Sequence, residues 1–219
     1  MSDRRAVIFD MDGVIVLTAE AHWLAWTAIA SAHGVQLTRE QFLSFNGLTN
    51  PDICQRLFGD AVTEQLVAEV AEAKEEEFRR AIGDQVPLAP GLVELLSRLR
   101  EEGVAVALGT SAPVGNVDLV LDKGGVRQMF DAVVHADMVK RGKPAPDIFA
   151  RGAELLGVSP DRCIVIEDAP MGIEAALAAG MEVVGVATNH SAEELSEAGA
   201  RQVAPTLAEL PVSWLLGTD

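Results

Sequence analysis

The sequence predicts an α/β fold: a Rossmann-like parallel sheet core flanked by helices, with an inserted all-helical cap domain. Three observations predict it. Short apolar runs recur along the chain, a helical pattern follows most of them, and the stretch 17–87 contains helical patterns only. Strands that alternate with helices form parallel sheets, and apolar runs without polar alternation are typical of strands covered on both faces.

Six runs are predicted to be strands of the core: 6–9, 104–108, 132–135, 163–166, 183–186 and 202–204. Helices are predicted between them where a proline opens a helical pattern and a glycine ends it. The segments 91–102 and 147–156 both follow this rule, because proline suits the first turn of a helix and glycine suits its end.

The stretch 17–87 is predicted to be a helical cap domain, so that residues 1–16 and 88–219 form the α/β catalytic core. Helical patterns cover 18–33 and 64–82, and Thr38 to Gln41 has the spacing of a capping box. The charged run 75–80 indicates a solvated helix face with pairing between residues three or four apart.

Composition limits the partners of the protein. The chain of 219 residues has 17 basic and 33 acidic side chains and a net charge of −16. Nucleic acid and anionic membrane surfaces are excluded as partners, because no basic field would attract them. Cys54 and Cys163 are far apart and are predicted to be buried thiols. We therefore expect a cytoplasmic protein, and nothing in the sequence requires more than a monomer.

Chemically active residues follow four of the predicted strands or lie in the loops after them. They are Asp10, Asp12, Thr110, Ser111, Lys143, Glu167 and Asp168. In open parallel sheets, ligands bind beyond the carboxyl ends of the strands. We therefore expect these side chains to converge on one edge of the sheet.

Some of these residues also have an ordinary structural interpretation. Asp168 could be a helix N-cap, Thr110 and Ser111 could cap another helix, and Lys143 could be a surface lysine. Each ordinary interpretation is reasonable for one residue alone. All of them would have to hold together at one edge of the sheet, which is a much rarer coincidence, and the functional interpretation is therefore favoured.

The combination is suited to phosphoryl transfer. Asp10, Asp168 and Glu167 offer the hard oxygen ligands that Mg²⁺ prefers, and such a metal offsets the repulsion between carboxylates and a phosphate dianion. Thr110 and Lys143 can hold phosphate oxygens. One carboxylate can attack phosphorus, and a second, two residues along, can protonate the leaving oxygen and then activate water.

Four segments resemble the motifs of the haloacid dehalogenase superfamily, and more narrowly those of its phosphatase and β-phosphoglucomutase-like members: 9–14, 109–111, 143–147 and 166–172. The resemblance covers nearly the whole chain. It implies that Asp10 is the nucleophile and a Mg²⁺ ligand, and that Asp12 is the general acid and base, with its carbonyl also on Mg²⁺. An acid at position 12 favours phosphoryl transfer over dehalogenation.

The same resemblance implies roles for the other residues. Thr110 and Lys143, with Ser111 beside them, are implied to bind the transferring phosphate. Asp168 is implied to be a further Mg²⁺ ligand, with Glu167 supporting it.

The cap departs from the mutase pattern. Asn46 and Asn50 lie where the mutase has a lysine and an arginine that hold the second phosphate, and no basic residue lies between Arg39 and Arg56. His22 matches a hinge histidine of the mutase, although it could simply pack beside the interdomain seam. We therefore expect a Mg²⁺-dependent phosphatase of sugar or polyol phosphates. The alternatives are a β-phosphoglucomutase-like mutase and a non-catalytic phosphate-binding protein.

Overall fold

The computed structural model describes residues 5–45 and 50–216. The chain divides into two compact units. The α/β unit consists of Met1–Leu17 and Val86–Asp219, and the helical unit consists of Thr18–Gln85.

The α/β unit contains a parallel sheet whose strands lie within one residue of the predicted runs at either end. They are β1 (Ala6–Phe9), β2 (Ala105–Gly109), β3 (Ala132–Val134), β4 (Cys163–Glu167), β5 (Glu182–Val186) and β6 (Gln202–Ala204). The order across the sheet is β3-β2-β1-β4-β5-β6, and every adjacent pair is parallel. The predicted α/β class is confirmed.

Strand β1 explains why the apolar runs lack polar alternation. Its residues Val7 and Phe9 enter one buried cluster, and Ala6 and Ile8 enter another. Successive side chains of a strand point to opposite faces. Helices therefore cover both faces of the sheet, and every position of the strand is apolar.

Ten α-helices are found in the described part of the chain. They are α1 (Ala19–Ala32), α2 (Arg39–Leu43), α3 (Asn50–Phe58), α4 (Glu64–Ile82), α5 (Leu92–Glu101), α6 (Val114–Lys123), α7 (Asp147–Leu156), α8 (Pro170–Ala178), α9 (Ala192–Glu197) and α10 (Val212–Leu216). Helix α5 is one residue shorter at each end than predicted: Gly91, with a left-handed φ of 84°, is its N-cap, and Glu102 is its C-cap. Within residues 5–45 and 50–216, no helix has the length and apolar character needed to cross a membrane.

The helical unit has its own apolar core, in which Trp26 and Ile29 of α1 cluster with Ile53 of α3 and Val70 of α4. The predicted capping box is present at α2. Gln41 N–H donates to Thr38 Oγ1 at 3.2 Å, and Thr38 N–H donates to Gln41 Oε1 at 2.8 Å. Local sequence and core packing thus define this unit.

Candidate active site

The site forms where the strand order reverses, at the carboxyl ends of β1 and its two neighbours. Phe9 pairs with Leu108 of β2 and with Ile166 of β4. Asp10 follows directly, and its N–H donates to Ile166 O at 3.0 Å. Such a reversal leaves a crevice at the sheet edge, which is the usual ligand site of open α/β sheets.

Three carboxylates meet in this crevice. Asp10, Glu167 and Asp168 each place an oxygen within 4.8 Å of the others. All three are buried, with exposed fractions of 7%, 1% and 3%. Hard carboxylate oxygens at this spacing fit a divalent cation such as Mg²⁺. The donor set therefore meets the requirement for a metal site.

Lys143 provides the ammonium of the cluster. Its Nζ lies 2.5 Å from Asp10 Oδ1 and 2.6 Å from Glu167 Oε1, with the side chain 10% exposed. The Phe149 ring lies beneath it, 4.7 Å from Nζ to the ring centroid. The interpretation of Lys143 as a surface lysine is wrong, because the chain folds back to bring it beside the strand ends.

Burial shifts the pKa values of these groups most, and their charges on one another shift them further. Burial raises the pKa of Asp10 to about 7; Lys143 opposes this rise, while Glu167 and Asp12 add to it. Burial, with the charges of Glu167 and Asp10, also holds the pKa of Asp168 well above its usual range. Burial alone would lower the pKa of Lys143, but Asp10 and Glu167 outweigh it and raise it. The cluster has three carboxylates and one ammonium, so a bound cation would offset the remaining negative charge.

Glu167 is fixed by the backbone N–H groups of the two residues that follow it, at the start of α8. Its Oε2 accepts hydrogen bonds from Asp168 N–H at 2.8 Å and from Ala169 N–H at 3.0 Å. A methyl group placed on Gly172 would lie 1.7 Å from Glu167 Oε1. Glycine at position 172 is therefore what allows helix α8 to lie against this carboxylate.

The turn after β1 brings Asp12 to the same edge. Gly13 N–H donates to Val16 O at 2.8 Å, and Asp12 is half-buried. Gly13 has a φ of 80°, and a methyl group there would lie 2.0 Å from Asp168 Oδ2. This turn therefore needs glycine both for its conformation and for the close approach of Asp168.

Thr110 follows β2 and is 1% exposed, whereas Ser111 is exposed. Thr110 Oγ1 accepts a hydrogen bond from Ala112 N–H at 3.1 Å. The N-cap of α6 is Pro113. Neither Thr110 nor Ser111 caps that helix, so this ordinary interpretation is wrong.

The interpretation of Asp168 as a helix N-cap is also wrong. The N-cap of α8 is Ala169, and no side chain caps that helix. The carboxylate of Asp168 instead contacts residues that follow β5.

The predicted cap residues belong to the helical unit. Asn50 is the first residue of α3. His22 of α1 stacks on Phe78 of α4, with ring centroids 4.4 Å apart. Asn46 lies outside the described residues. The roles of these residues in substrate binding stay predictions.

Two features of the structure were missed by sequence reasoning. The segment 188–190 follows β5 and contacts Asp168; its position after a predicted strand was the signal that could have found it. Lys74 of α4 is buried, pairs with Glu75 at 2.8 Å and lies 5.5 Å from the Phe78 ring. It stands within a charged helix, where nothing distinguishes it from its exposed neighbours.

Comparison with known proteins is consistent across family, sequence and structure. The family model for haloacid dehalogenase-like hydrolases matches residues 7–186. The chain is 37% identical over 189 residues to β-phosphoglucomutase of Bacillus subtilis, covering 83% of each protein. It is 37% identical over 180 residues to fructose-1-phosphate phosphatase of Escherichia coli, covering 82% of this chain and 95% of the relative. A HAD hydrolase of family IA from Entamoeba histolytica superposes with a TM-score of 0.90 at 28% identity, covering 97% of this chain and 98% of that one.

Proposed function

Because the chain belongs to the haloacid dehalogenase-like hydrolases, we propose that it is a Mg²⁺-dependent phosphatase. Its substrates are small phosphomonoesters of sugars or polyols, and the reaction passes through an aspartyl-phosphate. One observation carries the proposal: a buried cluster in which Lys143 bridges Asp10 and Glu167 and Asp168 lies alongside.

Mg²⁺ would be held by Asp10, Glu167 and Asp168, with the carbonyl of Asp12 as a further ligand. The cation would offset the negative charge of the carboxylates and of a phosphate dianion, which otherwise repel each other. The excess of negative charge in the cluster supports this assignment.

The reaction itself is carried by side chains of the chain. The Asp10 carboxylate attacks phosphorus, the ester P–O bond breaks, and the Asp12 carboxyl gives its proton to the leaving oxygen. Asp12 then takes a proton from water as that water attacks the aspartyl-phosphate, which releases phosphate and restores Asp10. Lys143, Thr110 and Ser111 hold the phosphate oxygens during both steps.

The substrate class is supported by the relatives and by the cap sequence. The two curated relatives are named for a phosphoglucose and for fructose 1-phosphate, which are both phosphorylated sugars. Asn46 and Asn50 are uncharged hydrogen-bonding side chains, which suit sugar hydroxyls rather than a second phosphate.

A phosphosugar mutase is the second candidate, and one observation favours it. Lys74 is a buried ammonium of the helical unit, and a mutase needs a cation there to hold the second phosphate of a sugar bisphosphate. We place this candidate second, because Lys74 is already paired with Glu75 and because Asn46 and Asn50 replace the two cations of the mutase.

The experiment that tests the proposal measures phosphate release from a panel of hexose and hexitol monophosphates. Activity is expected to be lost in EDTA and restored by Mg²⁺. Ca²⁺ is expected to support it poorly, since Ca²⁺ takes more oxygen ligands at longer distances and can engage the attacking carboxylate. Full activity after exhaustive chelation would show that the carboxylates are not a metal site. Binding of phosphate esters without turnover would favour the non-catalytic alternative.

A parallel assay separates phosphatase from mutase by following β-glucose 1-phosphate in the presence of glucose 1,6-bisphosphate. Phosphate release from the best monoester is expected to outpace isomerisation. The variant Lys74→Met is the informative comparison. Isomerisation that outpaces hydrolysis by about tenfold or more, which corresponds to a barrier difference of about 1.4 kcal/mol, would overturn the phosphatase assignment. Its loss in Lys74→Met would then identify Lys74 as the cation that holds the second phosphate.

A further inference from the structure

The segment after β5 contacts Asp168 with three consecutive side chains. Asn189 Nδ2 donates to Asp168 Oδ2 at 2.6 Å, and Thr188 Oγ1 lies 3.2 Å from the same oxygen. His190 Nδ1 lies 2.9 Å from the Asp168 carbonyl oxygen. A carbonyl oxygen only accepts, so Nδ1–H is the donor in this contact.

The hydroxyl of Thr188 also reaches the turn that carries Asp12. Its Oγ1 donates to Gly13 O at 2.7 Å, which is shorter than its distance to Asp168. One hydroxyl has one proton, and Gly13 O can only accept. Thr188 therefore mainly ties the turn, whereas Asn189 is the main hydrogen-bond donor to the carboxylate.

These contacts fix one oxygen of Asp168 and leave the other to a ligand. Among the described residues, the side chains that donate to this carboxylate all bind its Oδ2. Asp168 is 3% exposed, so water has little access to replace a lost partner. Groups that orient metal-binding carboxylates change metal affinity by roughly 10–100-fold when removed.

We propose that Asn189 and Thr188 are positioning residues for the reaction. Asn189 holds the Asp168 carboxylate so that its Oδ1 faces the cation, and Thr188 holds the Gly13 turn so that Asp12 keeps its place beside Asp10. The inference rests on the proposed metal site and extends the machinery to a segment outside the four motif-like regions.

The test compares variants of the whole chain by calorimetric titration with Mg²⁺ and by steady-state kinetics. Asn189→Leu removes the amide at similar size, and Asn189→Ala is the second variant should the first fail to fold. Thr188→Val removes the hydroxyl, and Thr188→Ser retains it. Thr206→Val is the matched control, because the Thr206 hydroxyl donates to Glu209, outside the site.

Asn189→Leu is expected to raise the Kd for Mg²⁺ by about 10–100-fold, with kcat largely recovered at saturating Mg²⁺. Thr188→Val is expected to lower kcat by about tenfold even at saturating Mg²⁺, because proton transfer by Asp12 depends on its placement. Thr188→Ser is expected to restore kcat. A purely structural role would lower the melting temperature without this division between Kd and kcat.

Two results would overturn the inference, and they are distinguishable. A wild-type protein that binds no Mg²⁺ would remove the metal site and the inference together. If the wild type binds Mg²⁺ and both Asn189 variants bind it within about threefold of wild type, the positioning role fails while the proposed function stands.

Discussion

At the scale of single residues, two neighbouring carboxyls have different tasks in the proposed reaction. Asp10 is buried between Lys143 and the other acidic groups, while Asp12 is half-buried in the following turn. A group held against a cation and a fixed ammonium is suited to nucleophilic attack. A more exposed group is suited to proton exchange with the leaving oxygen and with water.

The division of tasks predicts a leaving-group effect for Asp12→Asn. With a sugar phosphate, kcat/KM is expected to fall by about 10²–10⁴-fold, because the alkoxide leaving group needs a proton. With p-nitrophenyl phosphate, the first turnover is measured by the rate of p-nitrophenol release. This rate is expected to fall much less, because p-nitrophenolate leaves without a proton. Stopped-flow measurement on both substrates checks this. An equal loss on both would contradict the role of Asp12 as general acid.

The raised pKa of Asp10 predicts how the metal-free protein responds to pH. The pKa rises from 3.8 to about 7 on folding, so the folded state binds the proton more tightly than the unfolded state. The stability gained from this proton is fully present at low pH and is lost as pH rises from 3.8 through about 7.

Thermal denaturation in EDTA is expected to show a fall in melting temperature across this pH range that is smaller in Asp10→Asn than in wild type. Mg²⁺ should raise the wild-type melting temperature most at the alkaline end, where the carboxylates are ionised. Identical pH profiles for wild type and variant would contradict the charge balance described for the cluster.

At the scale of elements, the sequence predicted the acidic residues of the site but not the residues that hold them in place. The strands were predictable because both faces of each central strand are buried, so apolar runs mark them directly. Asp10 and Asp168 could then be placed from the ends of those runs. Lys143 could be placed by order and resemblance, although its burial depends on how the loop after β3 folds back.

Other features depend on tertiary packing that no local pattern encodes. Asn189 and Thr188 are ordinary turn residues in the sequence, and only the parallel pairing of β4 with β5 brings them to Asp168. Tertiary packing also determines the burial of Lys74 in the helical unit. Lys74 is buried, whereas Glu76 and Arg80 of the same helix are exposed. Periodicity locates elements, but it does not identify which polar residue becomes a partner.

The packing of α8 against β4 yields a prediction for Gly172→Ala. The added methyl group would lie 1.7 Å from Glu167 Oε1, so the carboxylate must leave its position between Lys143 and the backbone N–H groups. We expect kcat/KM to fall by about 100-fold, since a misplacement of about 1 Å can cost that much. The matched control is Gly142→Ala, because a methyl group at Gly142 meets nothing within 4 Å. Equal activity of both variants would contradict the close packing at Glu167.

At the scale of the whole molecule, the proposed function requires a protein with a net charge of −16 to bind an anionic substrate. The overall field opposes the approach of a phosphate dianion, whereas Lys143, the proposed cation and nearby N–H groups would attract it. Substrate affinity therefore depends on local positive charge at the site, which must outweigh the negative charge of the rest of the protein.

This contrast predicts a salt effect on KM. At saturating Mg²⁺, KM for a dianionic monoester is expected to fall a few-fold as KCl is raised to about 0.15 M, where the Debye length is about 8 Å. Salt screens the distant acidic surface more than the buried cluster. Initial rates across a KCl series check this, and a KM that rises steadily with salt would show that the local cations already control the approach.

Whether Asp10 carries the transferred phosphoryl group is decided by rapid-quench mass spectrometry. The wild type is mixed with p-nitrophenyl phosphate and Mg²⁺, quenched in acid within one turnover and digested. We predict one added phosphoryl group on the peptide that contains Asp10, removed by hydroxylamine and absent from Asp10→Asn. Accumulation in Asp12→Asn is also expected, because that variant lacks the base for hydrolysis. Undiminished turnover by Asp10→Asn, or a phosphoryl group found on another residue, would contradict the proposed mechanism.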